Sequence, residues 1–108
     1  MIQRIAYTSR ERAALSRLRQ LLNDSGCFLR ATWIKMKHPC GRDSCRCGSD
    51  RKLWHLSWYV SQSRKGKSRM KSVHREQLSQ VRQWVDRYHE VKRLLAVIGD
   101  ASWDRLGR

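Results

Sequence analysis

Acidic residues are scarce in this chain and never clustered: nine Asp and Glu stand against 24 Lys and Arg among 108 residues, a formal charge of +15. That scarcity argues against hydrolysis by metal ions held between carboxylates, because Asp43, Asp50, Glu76, Asp86 and Glu90 are scattered singly. There is no glycine-rich phosphate loop and no Gly-x-Ser-x-Gly elbow. The His-x-Glu and Pro-Cys-x-x-Cys pair of a zinc deaminase is also missing. No apolar run approaches the roughly 20 residues that a membrane helix needs. The segment Met1 to Tyr7 lacks the apolar stretch and cleavage site of a secretion signal. A cytoplasmic protein is therefore expected, with its four cysteines as thiols or metal ligands rather than disulfides. Internal repeats, low-complexity tracts and linkers are absent too, so residues 1–108 read as one domain.

What the chain has in excess is unevenly placed positive charge. Between Arg30 and Arg75 there are 13 Lys or Arg and only two acids, whereas Glu76 to Arg108 holds six basic and five acidic residues. So much unbalanced charge repels itself, and a polyanion relieves it. Nucleic acid is the commonest such partner; an acidic protein and an anionic membrane surface are the others.

Hydrophobic periodicity outlines an α+β domain. Thr8 and Glu11 fit a capping box, Leu15, Leu18 and Leu22 follow at helical spacing, and Asn23 to Gly26 supply a stop. This predicts a helix over about 9–23. A sheet is expected over about 27–74. Its first strand is Cys27 to Lys37, with Phe28, Leu29, Thr32, Trp33 and Ile34. The second alternates Trp54, Leu56, Trp58 and Val60 with His55, Ser57 and Tyr59, which puts the first set in the core and leaves Trp33, His55 and Tyr59 for an exposed face. Lys65-Gly66 makes a hairpin turn, and Met70 to Val73 a short third strand in an antiparallel meander. From about 75 to 98 the period is helical again, with Leu78, Val81, Val85, Tyr88, Val91, Leu95 and Ile98 in one stripe. Gly99 is placed as the stop and Asp100 to Leu106 as a last turn. The long helix is expected to pack on the sheet. Its stripe is wide enough to serve a homodimer or a larger complex as well.

The most distinctive passage is His38-Pro-Cys-Gly-Arg-Asp-Ser-Cys-Arg-Cys47, which places three thiols within eight residues. A structural zinc site takes four donors, and thiolates are good ones. Cys40, Cys45 and Cys47 supply three; His38 is taken as the fourth, with His55 or the more distant Cys27 as the alternatives. The alternative is that the thiols are small, unmetallated fillers of a tight turn.

With Cys40-Gly41, Cys45-Arg46-Cys47, Trp58-Tyr59-Val60-Ser61, Gly66-Lys67 and Trp84 with Tyr88, the chain resembles a family of small bacterial proteins of unknown function. Those proteins share a C-G-x-x-x-C-R-C segment, an aromatic strand, a Gly-Lys turn and a long C-terminal helix. The resemblance spans roughly residues 26 to 98 and supports the order of elements, but implies no activity. Where members often carry His-Gly-Pro, this chain has Leu53-Trp54-His55-Leu56.

These features together predict a nucleic-acid-binding protein that grips the phosphate backbone. Such a protein suits an accessory or subunit role in a DNA- or RNA-handling machine, with DNA slightly ahead of RNA and no membrane partner. Arg64, Lys65, Lys67, Arg69 and Lys71 are the leading phosphate contacts, backed by Arg42, Arg46, Arg51 and Lys52 around the cysteine loop. No enzyme is expected. The rivals are an adaptor for an acidic protein and a small metal-independent ribonuclease, which needs two histidines among His38, His55 and His74.

Overall fold

The computed structural model describes residues 5–107, so the first four residues of the N-terminal segment lie outside the described residues. Helix α1 (Ser9–Asn23) is followed by strands β1 (Thr32–His38), β2 (His55–Arg64) and β3 (Lys67–Ser72), and then by helix α2 (Leu78–Arg105). The strands form one antiparallel sheet in the order β1-β2-β3. This is the expected α+β meander between two helices. The chain divides into two compact units: a helical unit of residues 1–28 and 86–108, and a sheet unit of residues 29–85.

In the helical unit, α1 begins with the expected capping box. Thr8 Oγ1 accepts from the Glu11 amide at 3.1 Å, and Glu11 Oε1 accepts from the Thr8 amide at 2.9 Å. Glu11 is only 1% exposed, and both its carboxylate oxygens also accept from the Arg105 guanidinium, Nη1 at 2.6 Å. A buried carboxylate survives because a bidentate cation and the Thr8 amide replace its water. The same pairing holds the end of α2, which explains why the helix passes Gly99, the predicted stop, and continues to Arg105. One interior glycine costs only about 1 kcal/mol.

The face of α1 that is buried also differs from the expected one. Ala14 and Leu21 are buried, with Leu94 of α2, and Leu18, Val91, Val97 and Ile98 pack around them. Leu22, which leucine spacing places in the apolar stripe, is 59% exposed. The true stripe is Glu11-Ala14-Leu18-Leu21, and it is hard to see in the sequence because its first member is charged. Arg17 grips Glu90 through Nε and Nη2 at 2.9 and 3.0 Å, and Arg87 donates to the Leu21 carbonyl at 2.9 Å while lying over the Phe28 ring. That last bond satisfies an otherwise orphaned carbonyl near the C-terminus of α1.

In the sheet unit, β1 starts at Thr32 rather than Cys27. The Arg30 carbonyl accepts from the Gln62 side chain at 2.7 Å, and the Leu29 amide donates to the Trp84 carbonyl at 3.1 Å. The Leu29 amide and the Arg30 carbonyl thus find their partners outside the ladder. Strand β2 starts at His55, not Trp54, which follows a short 3₁₀ turn and lies under the Arg51 guanidinium. β3 is longer than predicted, beginning directly after the two-residue turn Lys65-Gly66. Both turn residues have positive φ, 52° and 78°, as the hairpin twist demands.

Register decides the faces. Trp33 pairs with Val60 and Lys35 with Trp58, so Trp33 shares a face with Trp58 and Val60 instead of with His55 and Tyr59. The Trp33 and Trp58 rings meet at 5.4 Å between centroids, and Arg82 lies 5.4 Å over Trp33. The opposite face carries Ile34, Met36, His38, Ser57, Tyr59 and Met70, without a charge from β1, β2 or β3.

Candidate metal centre

The cysteine loop joins β1 to β2. Gly41 adopts φ +82°, a conformation that a side chain would strain, and lets the chain reverse straight after Cys40. The Cys45 amide donates to the Arg42 carbonyl, and 3₁₀ turns at Arg46–Gly48 and Arg51–Leu53 follow, the second capped by Asp50 through the Lys52 amide at 2.9 Å. These turns return the chain to the start of β2, where His55 is the first residue.

The result is a four-donor group. Cys40, Cys45, Cys47 and His55 bring their ligand atoms within 4.8 Å of one another. Cys47 and Cys40 sulfurs are 3.4 Å apart, and Cys45 Sγ is 3.3 Å from His55 Nε2. These thiols are free, and the separation is far beyond a disulfide bond. A tetrahedral zinc ion with its ordinary bond lengths sets S···S near about 3.8 Å and S···N near about 3.6 Å. These two pairs therefore stand close to the edges of such a tetrahedron, and the set of four could hold a metal ion.

The protons are unequally shared. The Arg42 amide and then the Cys47 thiol bond to the Cys40 sulfur and hold its pKa below the ordinary thiol value. The Cys40 amide donates to Cys47 Sγ at 3.2 Å and favours its thiolate, but burial and the neighbouring thiols of Cys45 and Cys40 outweigh it and push Cys47 up. A cation arriving at the site would displace these protons.

His38, the first-choice fourth donor, is engaged elsewhere. Although it pairs with His55 in register, its Nε2 lies 2.7 Å from Ser57 Oγ and 3.4 Å from the Tyr59 hydroxyl, and its Nδ1 faces the Pro39 carbonyl at 2.9 Å. Because a carbonyl only accepts, Nδ1 carries the proton and Nε2 accepts. The ring leans along β2, away from the thiols. Cys27 is not in the donor group either and belongs to the helical unit. The sequence leaves His55 as one of three options; only the ring direction separates it from His38.

The predicted phosphate contacts fall in two places. Arg64, Lys67, Arg69 and Lys71 share one face of the β2–β3 hairpin, and Lys65 sits at its tip. Arg42, Arg46, Arg51 and Lys52 are exposed around the cysteine loop. Lys35 and Lys37, missed by the sequence reading, stand on β1 with their side chains on the hairpin cations' face. Their alternation with Trp33 is the signal that could have found them. Among the described residues none of these cations is in an ion pair; Arg69 instead bonds Gln62 Oε1, at 3.0 Å from Nε, and Lys35 lies over the Trp58 ring.

The profile of a domain of unknown function, DUF6788, matches residues 7–83 of this chain. The chain belongs to the DUF6788 family. The matched span takes in α1, the whole sheet and the four residues of this DUF6788 protein that could hold a metal ion. Neither the curated proteins nor the solved structures give a match. No helix among the described residues of this DUF6788 protein is long and apolar enough to cross a membrane.

Proposed function

We propose that this protein binds nucleic acid through the phosphate backbone, using the basic face of the β2–β3 hairpin and the cations of a zinc-organised cysteine loop. The observation that carries this reading is the grouping of Lys35, Lys37, Arg64, Lys67, Arg69 and Lys71 on one sheet face without a carboxylate partner among the described residues. Surface cations that fold for their own sake are usually interspersed with acids. Here the opposing charge has to come from outside, and a polyanion presents it at regular intervals.

Zinc is the metal we assign to Cys40, Cys45, Cys47 and His55. Three thiolates and an imidazole suit it, and four protein donors close the shell, which makes the role structural. The ion would tie the loop bearing Arg42, Arg46, Arg51 and Lys52 to the first residue of β2. A contact surface otherwise dependent on a long connection is thereby held in shape.

The test is a titration against random duplex DNA, single-stranded DNA and RNA at 50 and 200 mM salt. If six cations reach phosphates, affinity falls by about 10³ over that range. Neutralising Lys67 alone should weaken binding about equally for all sequences and lower the salt slope by about 1. Absence of binding to all three polymers at the lower salt ends the proposal and leaves the basic face to an acidic protein.

A further inference from the structure

Beyond the basic sheet, α2 carries an apolar stripe that the fold does not use. Leu95 is 53% exposed, Trp103 74%, and Leu106, just past the helix end, 75%. Together with Gly99 they fall at i, i+4, i+8 and i+11, one line along the helix. This line is distinct from Val91, Leu94, Val97 and Ile98, which pack against α1. A tryptophan three-quarters in water is a costly surface residue for a small, charge-rich protein.

We infer that this stripe is the contact surface for a second copy of the chain, two α2 helices crossing antiparallel at Gly99. Three observations support that occupant over another. First, the stripe is self-complementary about Gly99: a two-fold axis there sets Leu95 of one copy against Trp103 of the other, the isologous pattern of a symmetric dimer. Second, Gly99 faces open space: beyond its chain neighbours and the adjacent backbone of its own helix, a Cβ at this position would meet no atom within 4 Å, so a partner backbone can approach closely there. Third, charge permits it. Two copies of a chain at +15 repel, but residues 76–108 hold six basic and five acidic residues, so this helix is the least repulsive place to meet.

Sedimentation or light scattering of the full chain over a range of concentrations tests the inference. Twice the chain mass at high concentration is expected, dissociating on dilution. Trp103→Glu should raise the dissociation constant by about 30-fold or more, the effect of losing a central aromatic anchor. Gly99→Gln guards against a folding artefact. Glutamine is a better helix former than glycine, so helicity by circular dichroism should hold or rise. The bulk at the crossing should still weaken the dimer by about tenfold. A chain mass that stays single at every concentration overturns the inference, as does a dimer indifferent to both substitutions.

Discussion

The helical and sheet units solve the problem of charge in opposite ways. The helical unit carries ten basic and six acidic residues, and its ion pairs include Arg17 with Glu90, Arg93 with Glu90, and Arg105 with Glu11. It also has a true apolar core at Ala14, Leu21 and Leu94. The sheet unit carries fourteen basic residues against three acids. Its buried apolar positions are only Ala31, Cys47, Val81 and Val85. A unit with so little buried apolar surface is marginal on hydrophobic grounds alone. The helical unit is stabilised from within; under the proposed function, the sheet unit would be completed by zinc and a polyanion.

Removing the proposed zinc is therefore the sharpest way to break the comparison. Structural zinc contributes on the order of 10 kcal/mol in small zinc-folded peptides. Elemental analysis should find about one zinc per chain, and chelation or Cys47→Ser should abolish it. The near-ultraviolet circular dichroism of the Trp33–Trp58 pair, which lies in the sheet unit, should collapse on metal loss. Metal-free protein with an unchanged spectrum and melting curve would show instead that the thiols are inert fillers.

Next in size is the acid response of the helical unit. Hydrogen bonds from Arg105, reinforced by the Thr8 amide, hold the Glu11 carboxyl down to about 2 from an ordinary value of 4.5. A carboxylate depressed in the folded state stabilises it fully above the unfolded value. That contribution is lost as pH falls through the folded one. Stability should accordingly decline between about pH 4.5 and about pH 2. Glu11→Gln, which leaves Arg105 without its counter-charge, should lower the thermal midpoint at neutral pH and flatten that decline. A parallel acid profile in wild type and variant would move the effect to another carboxylate, such as Glu90.

The two units also differ in how far their sequences disclose them. Local rules suffice for the capping box at Thr8 and Glu11, the Lys65-Gly66 turn, the strand order and the three clustered thiols, because each depends on neighbours in the chain. What depends on distant partners is not legible. Glu11 meets Arg105 across 94 residues, and nothing near either announces the other. The face of Trp33 follows from a register set across a loop of sixteen residues, 39 to 54, so strand alternation alone could not place it. His38 and His55 occupy paired positions, and only the hydrogen bond to Ser57 sends one ring away from the thiols.

The smallest effect, and the cleanest comparison, lies between adjacent leucines of α1. Leu21 is buried with Ala14 and Leu94, while Leu22 faces water, although simple leucine spacing favours Leu22. Truncating Leu21 to alanine removes buried methylenes and leaves a cavity, a loss of about 2–5 kcal/mol. Truncating Leu22 removes atoms already in water, and alanine is the better helix former, so the change stays within about 0.5 kcal/mol. Denaturant midpoints for the two variants, at equal slopes, decide which stripe the helix buries. Equal losses would mean that Leu22 too is covered.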